Sequence, residues 1–274
     1  MTRWLLIAIF LGAAAPPEPK PAPAPRTVPA RWIADWAEQR CSLVRETGGP
    51  DAAAVMLRTV PGTGHAELWV LDPKWEGPQR PSIAQLEIAM DPTGARFAQS
   101  GYVVIFRGQP GIAITNLESG FIDGFAGATR IRVGAGGKTY GEYPVPGSAK
   151  AVAALRNCEA EVMRDWGLDP AVINSLRQSA EPDKPPVEWF SDADYPSEAI
   201  KAQQSGTVLA RYTVDVTGRV TECVIVDGSG HAALDRQTCA VIVKRGRYKP
   251  AIAADGRPTR SMAAIRIRWL LPVA

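Results

Sequence analysis

Only two histidines, His65 and His231, occur in the 274 residues, and the four cysteines, Cys41, Cys158, Cys223 and Cys239, form no CxxC pair. Those absences leave no zinc-type ligand spacing and no metal or cofactor set to read. No G-x-S-x-G elbow is present, and the Gly-Gly-Lys-Thr of "VGAGGKTYGE" lacks the GxxxxGK[ST] spacing of a phosphate loop, so it reads as a β-turn. Asp72, Asp91 and Asp123 fall in expected turns and make no carboxylate pair. Cys158 and Cys239 lie inside expected helices rather than at their N-termini, where a reactive thiol belongs. His65 beside a strand start and His231 at a helix entry read as loop or cap residues. An enzyme is therefore not expected. Basic and acidic residues nearly balance at 31 and 28, and the basic ones are not clustered among aromatics, which excludes the footprint of a nucleic-acid-binding protein.

Long apolar runs are also missing. The one candidate, Trp4 to Ala15, falls short of the roughly 20 residues that cross a bilayer. With Arg3 before it and Gly12 to Ala15 closing it, the run reads as a signal peptide, residues 1–14, cleaved after Ala14. An uncleaved inner-membrane anchor facing the periplasm is the alternative. A Pro-rich spacer, 15–30, follows in "PPEPKPAPAPRTVPA", a composition that favours extended polyproline II.

Apolar residues make up 46% of the chain, enough for two ordinary domains. From 31 to 178 the runs "AAVMLRT", "HAELWVL", "IAQLEIAM", "GYVVIFR", "GIAITNL" and "TRIRVG" are strand-like and bounded by turn residues. They predict a mostly antiparallel β-rich domain. It closes with a helix in which Ala151, Leu155, Cys158, Val162 and Trp166 share a face, Ser148 caps and Gly167 terminates. Cys158 then points inward, where Cys41 can meet it. Two unpaired buried cysteines are the other reading, and export favours the disulfide.

A linker, 179–193, is rich in Pro and charge. Beyond it, 194–272 reads helix, strand, strand, helix, strand. Pro196 opens the first helix and Gly206 ends it. Val208, Ala210, Tyr212 and Val214 alternate on one strand face. Leu234, Thr238, Val241 and Ile242 line the second helix, and Ile265, Ile267 and Trp269 share a face of the last strand. The expected class is α+β: a β-rich domain with a closing helix, then two helices on one face of a three-stranded antiparallel sheet. Cys223 and Cys239 can pair if Cys223 faces the helices.

In "YPSEAIKAQQSGTVLARYTVDVTGRVTECVIVDGSGHAALDRQTCAVIVKRGRYKPA" the residues Tyr195, Pro196, Gly206, Val208, Val214, Gly218, Val220, Leu234, Asp235, Tyr248, Pro250 and Ala251 stand at spacings that resemble the TonB C-terminal domain family. The resemblance covers under a third of the chain. It implies a periplasmic module that docks to outer-membrane TonB-dependent transporters, or another envelope protein, by adding a strand to its sheet edge, and relays energy from an inner-membrane motor. It implies no cofactor. Arg266, Arg268 and Trp269 on the last strand become the partner-binding candidates, with ordinary edge protection as the other role for the arginines. Exposed edges also leave a homodimer open. The chain departs from the family where a folded β domain stands in place of a long spacer. A binding or adaptor protein without a motor connection is the alternative function.

Overall fold

The computed structural model describes residues 31–46, 52–106, 108–117 and 120–271. The expected signal peptide and Pro-rich spacer lie outside them. Nine strands form one antiparallel sheet: β1 (Trp32–Ala37), β2 (Arg40–Glu46), β3 (Ala54–Val60), β4 (His65–Leu71), β5 (Ser82–Asp91), β6 (Arg96–Phe106), β7 (Gln109–Ile114), β8 (Arg130–Ala135) and β9 (Lys138–Pro144). Their order is β1-β2-β3-β4-β7-β6-β5-β8-β9. Alternation sends Leu43, Val55, Leu57, Leu68, Val70, Leu86, Met90, Ile112, Ile131 and Val133 into one core. The Gly136-Gly137 pair, both at positive φ, turns β8 into β9, the turn that "VGAGGKTYGE" predicts. Strands β1, β2 and β9 escaped the sequence reading. The outer two are edge strands whose side chains are largely exposed, so they carry no apolar alternation to read.

Helix α1 (Phe121–Ala126) and helix α2 (Ser148–Asp165) cover that core. Buried Ala151, Leu155, Cys158 and Val162 line α2 as expected. Its N-cap is Gly147, not Ser148. Gly147 takes the left-handed conformation that suits glycine, which leaves Ser148 to donate to the carbonyls of Ala126 and Ala128 instead. Cys158 is disulfide-bonded to Cys41 on β2, with Cα atoms 6.0 Å apart.

A short helix α3 (Pro170–Asn174), capped by the Asp169 side chain, leads on to β10 (Glu181–Pro182), α4 (Ser197–Lys201), β11 (Gly206–Val214), β12 (Val220–Asp227), α5 (Ala232–Arg245), β13 (Tyr248–Lys249), β14 (Ala251–Ile252), β15 (Pro258–Thr259) and β16 (Ser261–Trp269). The stretch read as a linker is held against this part. β10 pairs with β13, Trp189 is 1% exposed in the second core, and Arg245 grips Asp194 with two bonds of 2.6 and 2.7 Å. Gly206 does not end a helix. α4 stops at Lys201, Gln203 takes the positive φ, and Gly206 begins β11, where a Cβ would come within 2.7 Å of Ser229.

The sheet of this part has the order β12-β11-β16. Val208, Ala210, Tyr212 and Val214 face α5, whose Leu234, Val241 and Ile242 complete the second core. Cys223 faces α5 too and is disulfide-bonded to Cys239, with Cα atoms 5.5 Å apart. The opposite face is covered as well. Leu209, Arg211 and Thr213 are 2–4% exposed, because the β-rich part covers them. Arg211 lies beneath the Trp166 ring, 3.9 Å from its centre, and donates from Nε to Gln39.

Gly218 in the β11–β12 turn has φ +80°, and a Cβ there would lie 1.8 Å from the Tyr248 carbonyl oxygen. Gly218→Ala is expected to cost roughly 1–2 kcal/mol from the backbone conformation alone, with the clash added. A melting curve indistinguishable from the parent protein's would refute this.

Candidate functional site

Strand β16 is an edge. It pairs with β11 without a register break from Ser261 to Trp269, and its other side meets no strand among the described residues. The far edge, β12, pairs with β11 through two register shifts, the kind of irregularity that blunts an edge. The regular open edge is therefore on β16. An exposed row of backbone N–H and C=O groups of this kind can accept an added strand.

Alternation divides the side chains of β16. Ile265, Ile267 and Trp269 pack on the α5 side. Trp269 is buried, stands edge-on to Phe190 and Tyr195, and donates from Nε1 to Thr238 Oγ1 at 2.9 Å. Met262, Ala264, Arg266 and Arg268 take the other side, toward the β-rich part. Of the three partner-binding candidates, then, Trp269 serves the core, Arg266 is committed within the chain, and exposed Arg268 is the one facing open space.

Arg266 is committed to Glu67 of β4, which is 1% exposed. Glu67 also accepts from His65 Nε2 at 3.1 Å, Trp69 Nε1 at 2.9 Å and Arg58 Nη1 at 3.3 Å. Burial alone would push this carboxyl up. The His65 and Trp69 hydrogen bonds, with the Arg266 and Arg58 guanidinium groups, outweigh burial and hold it at about 2. Arg58 continues the network to Asp227 at the end of β12, with bonds of 2.8 and 3.0 Å, and Arg40 joins it there. A seam of charge thus fixes β16 to the nine-stranded sheet. His65 is one of its buried members rather than a loop residue. The sequence carries one hint of it, an acidic residue at an otherwise apolar position of "HAELWVL".

Beside the seam lies a cleft of about 890 Å³. Ala264, Ile265, Arg266 and Arg268 form one wall, while Trp69, Ile83, Tyr102 and Ile105 stand on the other. Ala264, Ile265 and Arg266 are consecutive, and their side chains alternate in direction. All three border the cleft, so it is the backbone edge of β16 that faces it.

The family-motif residues build the module rather than a reactive site. Tyr195 donates its hydroxyl to the Gln204 carbonyl, Asp235 accepts from Ser229 N and Oγ at 2.8 Å each, and the Gly218 carbonyl accepts from Tyr248 N at 2.9 Å. Pro196 caps α4, Leu234 is fully buried, and Pro250 follows β13 directly. No group of three or more metal-ligating side chains occurs among the described residues, and no described helix is long and apolar enough to cross a membrane.

The C-terminal part is thus a small helix-backed sheet with one open, regular edge strand. Residues 191–271 match the family model described as the Gram-negative bacterial TonB protein C-terminal. No curated protein matches the chain.

Proposed function

We propose that this protein is a periplasmic, non-catalytic docking protein. Its C-terminal part, 194–272, would take an extended segment of an outer-membrane TonB-dependent transporter, or of another envelope protein, as an added strand on β16. The observation that carries this reading is the open, unbroken edge of β16 within the stretch that matches the family. The same reading assigns residues 1–14 to export, 15–30 to a spacer, 31–178 to a β-rich domain and 179–193 to the connection. It also makes α4, α5 and the three-stranded sheet the docking unit.

A second reading is favoured by the seam. A module whose sheet is fastened to a large folded partner in its own chain suits a fixed adaptor, with no link to an energy-transducing motor, better than a tethered transducer. Both readings predict the same contact.

The test is photo-crosslinking in a Gram-negative host expressing the full chain with benzoylphenylalanine in place of exposed Leu270, which follows β16 directly. The expected adduct joins β16 to an extended periplasm-facing segment of an outer-membrane transporter or envelope protein, mapped by mass spectrometry. Adducts confined to cytoplasmic proteins, or none, would overturn the proposal. The intact mass of the crosslinked chain also reports whether the first 14 residues have been removed.

A further inference from the structure

We propose that the cleft between β16 and the outer face of β5–β6 recognises an extended acidic peptide between two walls, so that the β-rich part of the chain selects the partner sequence. This rests on the reading that β16 accepts a strand, and adds what that strand must carry.

The cleft has two unlike sides. On the β5–β6 side, Ile83 and Tyr102 are direct cross-strand partners, 69% and 39% exposed, and Trp69 follows in the same cross-strand row through Ala113. Large apolar side chains gathered on one exposed surface mark a contact waiting for a partner. On the β16 side the cleft carries Arg266 and Arg268, with His65 deeper in, and no carboxylate lines it among the described residues. Glu67 already neutralises Arg266. Arg268 has no ion-pair partner among the described residues, so one cation stands uncommitted beside the open edge.

The backbone decides between classes of occupant. A lipid or a small anion could neutralise Arg268 and cover Ile83, but neither would satisfy the N–H and C=O row of β16. An extended peptide does both. The volume of about 890 Å³ also falls in the range of formed binding clefts, roughly 300–1,000 Å³. The Glu67–Arg266 contact ties the edge strand to the opposite wall, so the cleft stands ready before a partner arrives, which limits the ordering cost of binding.

Register then yields a sequence rule. In a strand added beside β16, every second side chain points toward β5–β6. A residue opposite Arg268 and one opposite Ala264 share that face and stand four positions apart. The first is acidic, to meet Arg268. The second is large and apolar, since Ala264 leaves room and the facing wall is apolar.

Fluorescence polarisation on the full chain tests this with a fluorescein-labelled eight-residue peptide of alternating Thr and Val that carries Glu and Leu four positions apart. The Glu→Gln and Leu→Ser peptides are the controls. We expect the parent peptide to bind, and each control peptide, and each of the surface variants Ile83→Asp and Arg268→Ala, to weaken binding ~10-fold. Melting curves that match the parent protein's show that the variants fold. If the parent peptide binds and crosslinks to β16, yet Ile83→Asp, Tyr102→Ala and the control peptides change affinity less than two-fold, the two-wall proposal fails while strand addition stands. If no peptide binds, strand addition fails and this proposal with it. Displacement of the peptide by phosphatidylglycerol vesicles that themselves bind the Ile83 surface would overturn it in favour of a lipid.

Discussion

Replacing Glu67 with leucine is expected to lower the stability of the chain by about 3–5 kcal/mol, the usual cost of breaking a buried ion pair from one side. The substitution strips a 1%-exposed carboxylate from Arg266 and Arg58, whose side chains are only 22% and 14% exposed, and leaves the two sharing Asp227 alone, 2.8 Å from Arg58 and 3.9 Å from Arg266. The pKa of Glu67 gives a matching magnitude. Depression from 4.5 to about 2 corresponds to roughly 3 kcal/mol of preference for the ionised form in the folded state. Because the folded value lies below the unfolded one, this contribution is fully present above about pH 4.5 and disappears as the pH falls toward 2. Urea denaturation at neutral pH should show the loss, with the β12-β11-β16 sheet released before the nine-stranded one. The same early release should develop in the parent protein on acidification across that window. A shift of less than 1 kcal/mol, or an unchanged single transition down to pH 2, would count against the seam as the element that joins the two sheets.

The paired substitutions Cys41→Ala and Cys158→Ala carry the second large effect. The disulfide closes a separation of 117 residues, from the second strand of the sheet to the helix that covers it. In the chain-entropy model such a loop contributes about 5 kcal/mol, against about 3 kcal/mol for the 16-residue separation between Cys223 and Cys239. Removing the long-range bridge should therefore shift the denaturation midpoint more than removing the short one. Equal shifts, or a larger one for Cys223→Ala with Cys239→Ala, would show that strain or residual structure in the unfolded chain dominates over loop entropy.

Both disulfide partnerships were legible in the sequence, because each rests on local periodicity: Cys158 lies on the apolar stripe of a helix, and Cys223 lies on the strand face that needs cover. The same logic located the alternation of β11 and the helix α5, whereas an edge position for β16 followed only from the family resemblance. It fails wherever a contact is made by residues far apart in the chain. Nothing local in Leu209, Arg211 and Thr213, two of them polar, announces a covered face, yet Arg211 spends its planar guanidinium on Trp166 and Gln39 and can be buried there. Arg266 and Glu67 are separated by 199 positions, and neither has a neighbour that announces the other. Gly206 misled for a smaller reason. A glycine after a helical pattern commonly marks its end, but here close approach to Ser229 at the start of a strand makes the same demand.

The unbroken pairing of β16 with β11 also has a mechanical meaning. A partner segment lying along β16 and tugged along its own length would shear the strand instead of peeling it. The nine cross-strand pairs from Ser261 to Trp269 would then share the tension, with bonds standing roughly perpendicular to the pull. Part of the tension would pass sideways through Arg266 into β4 and so into the nine-stranded sheet.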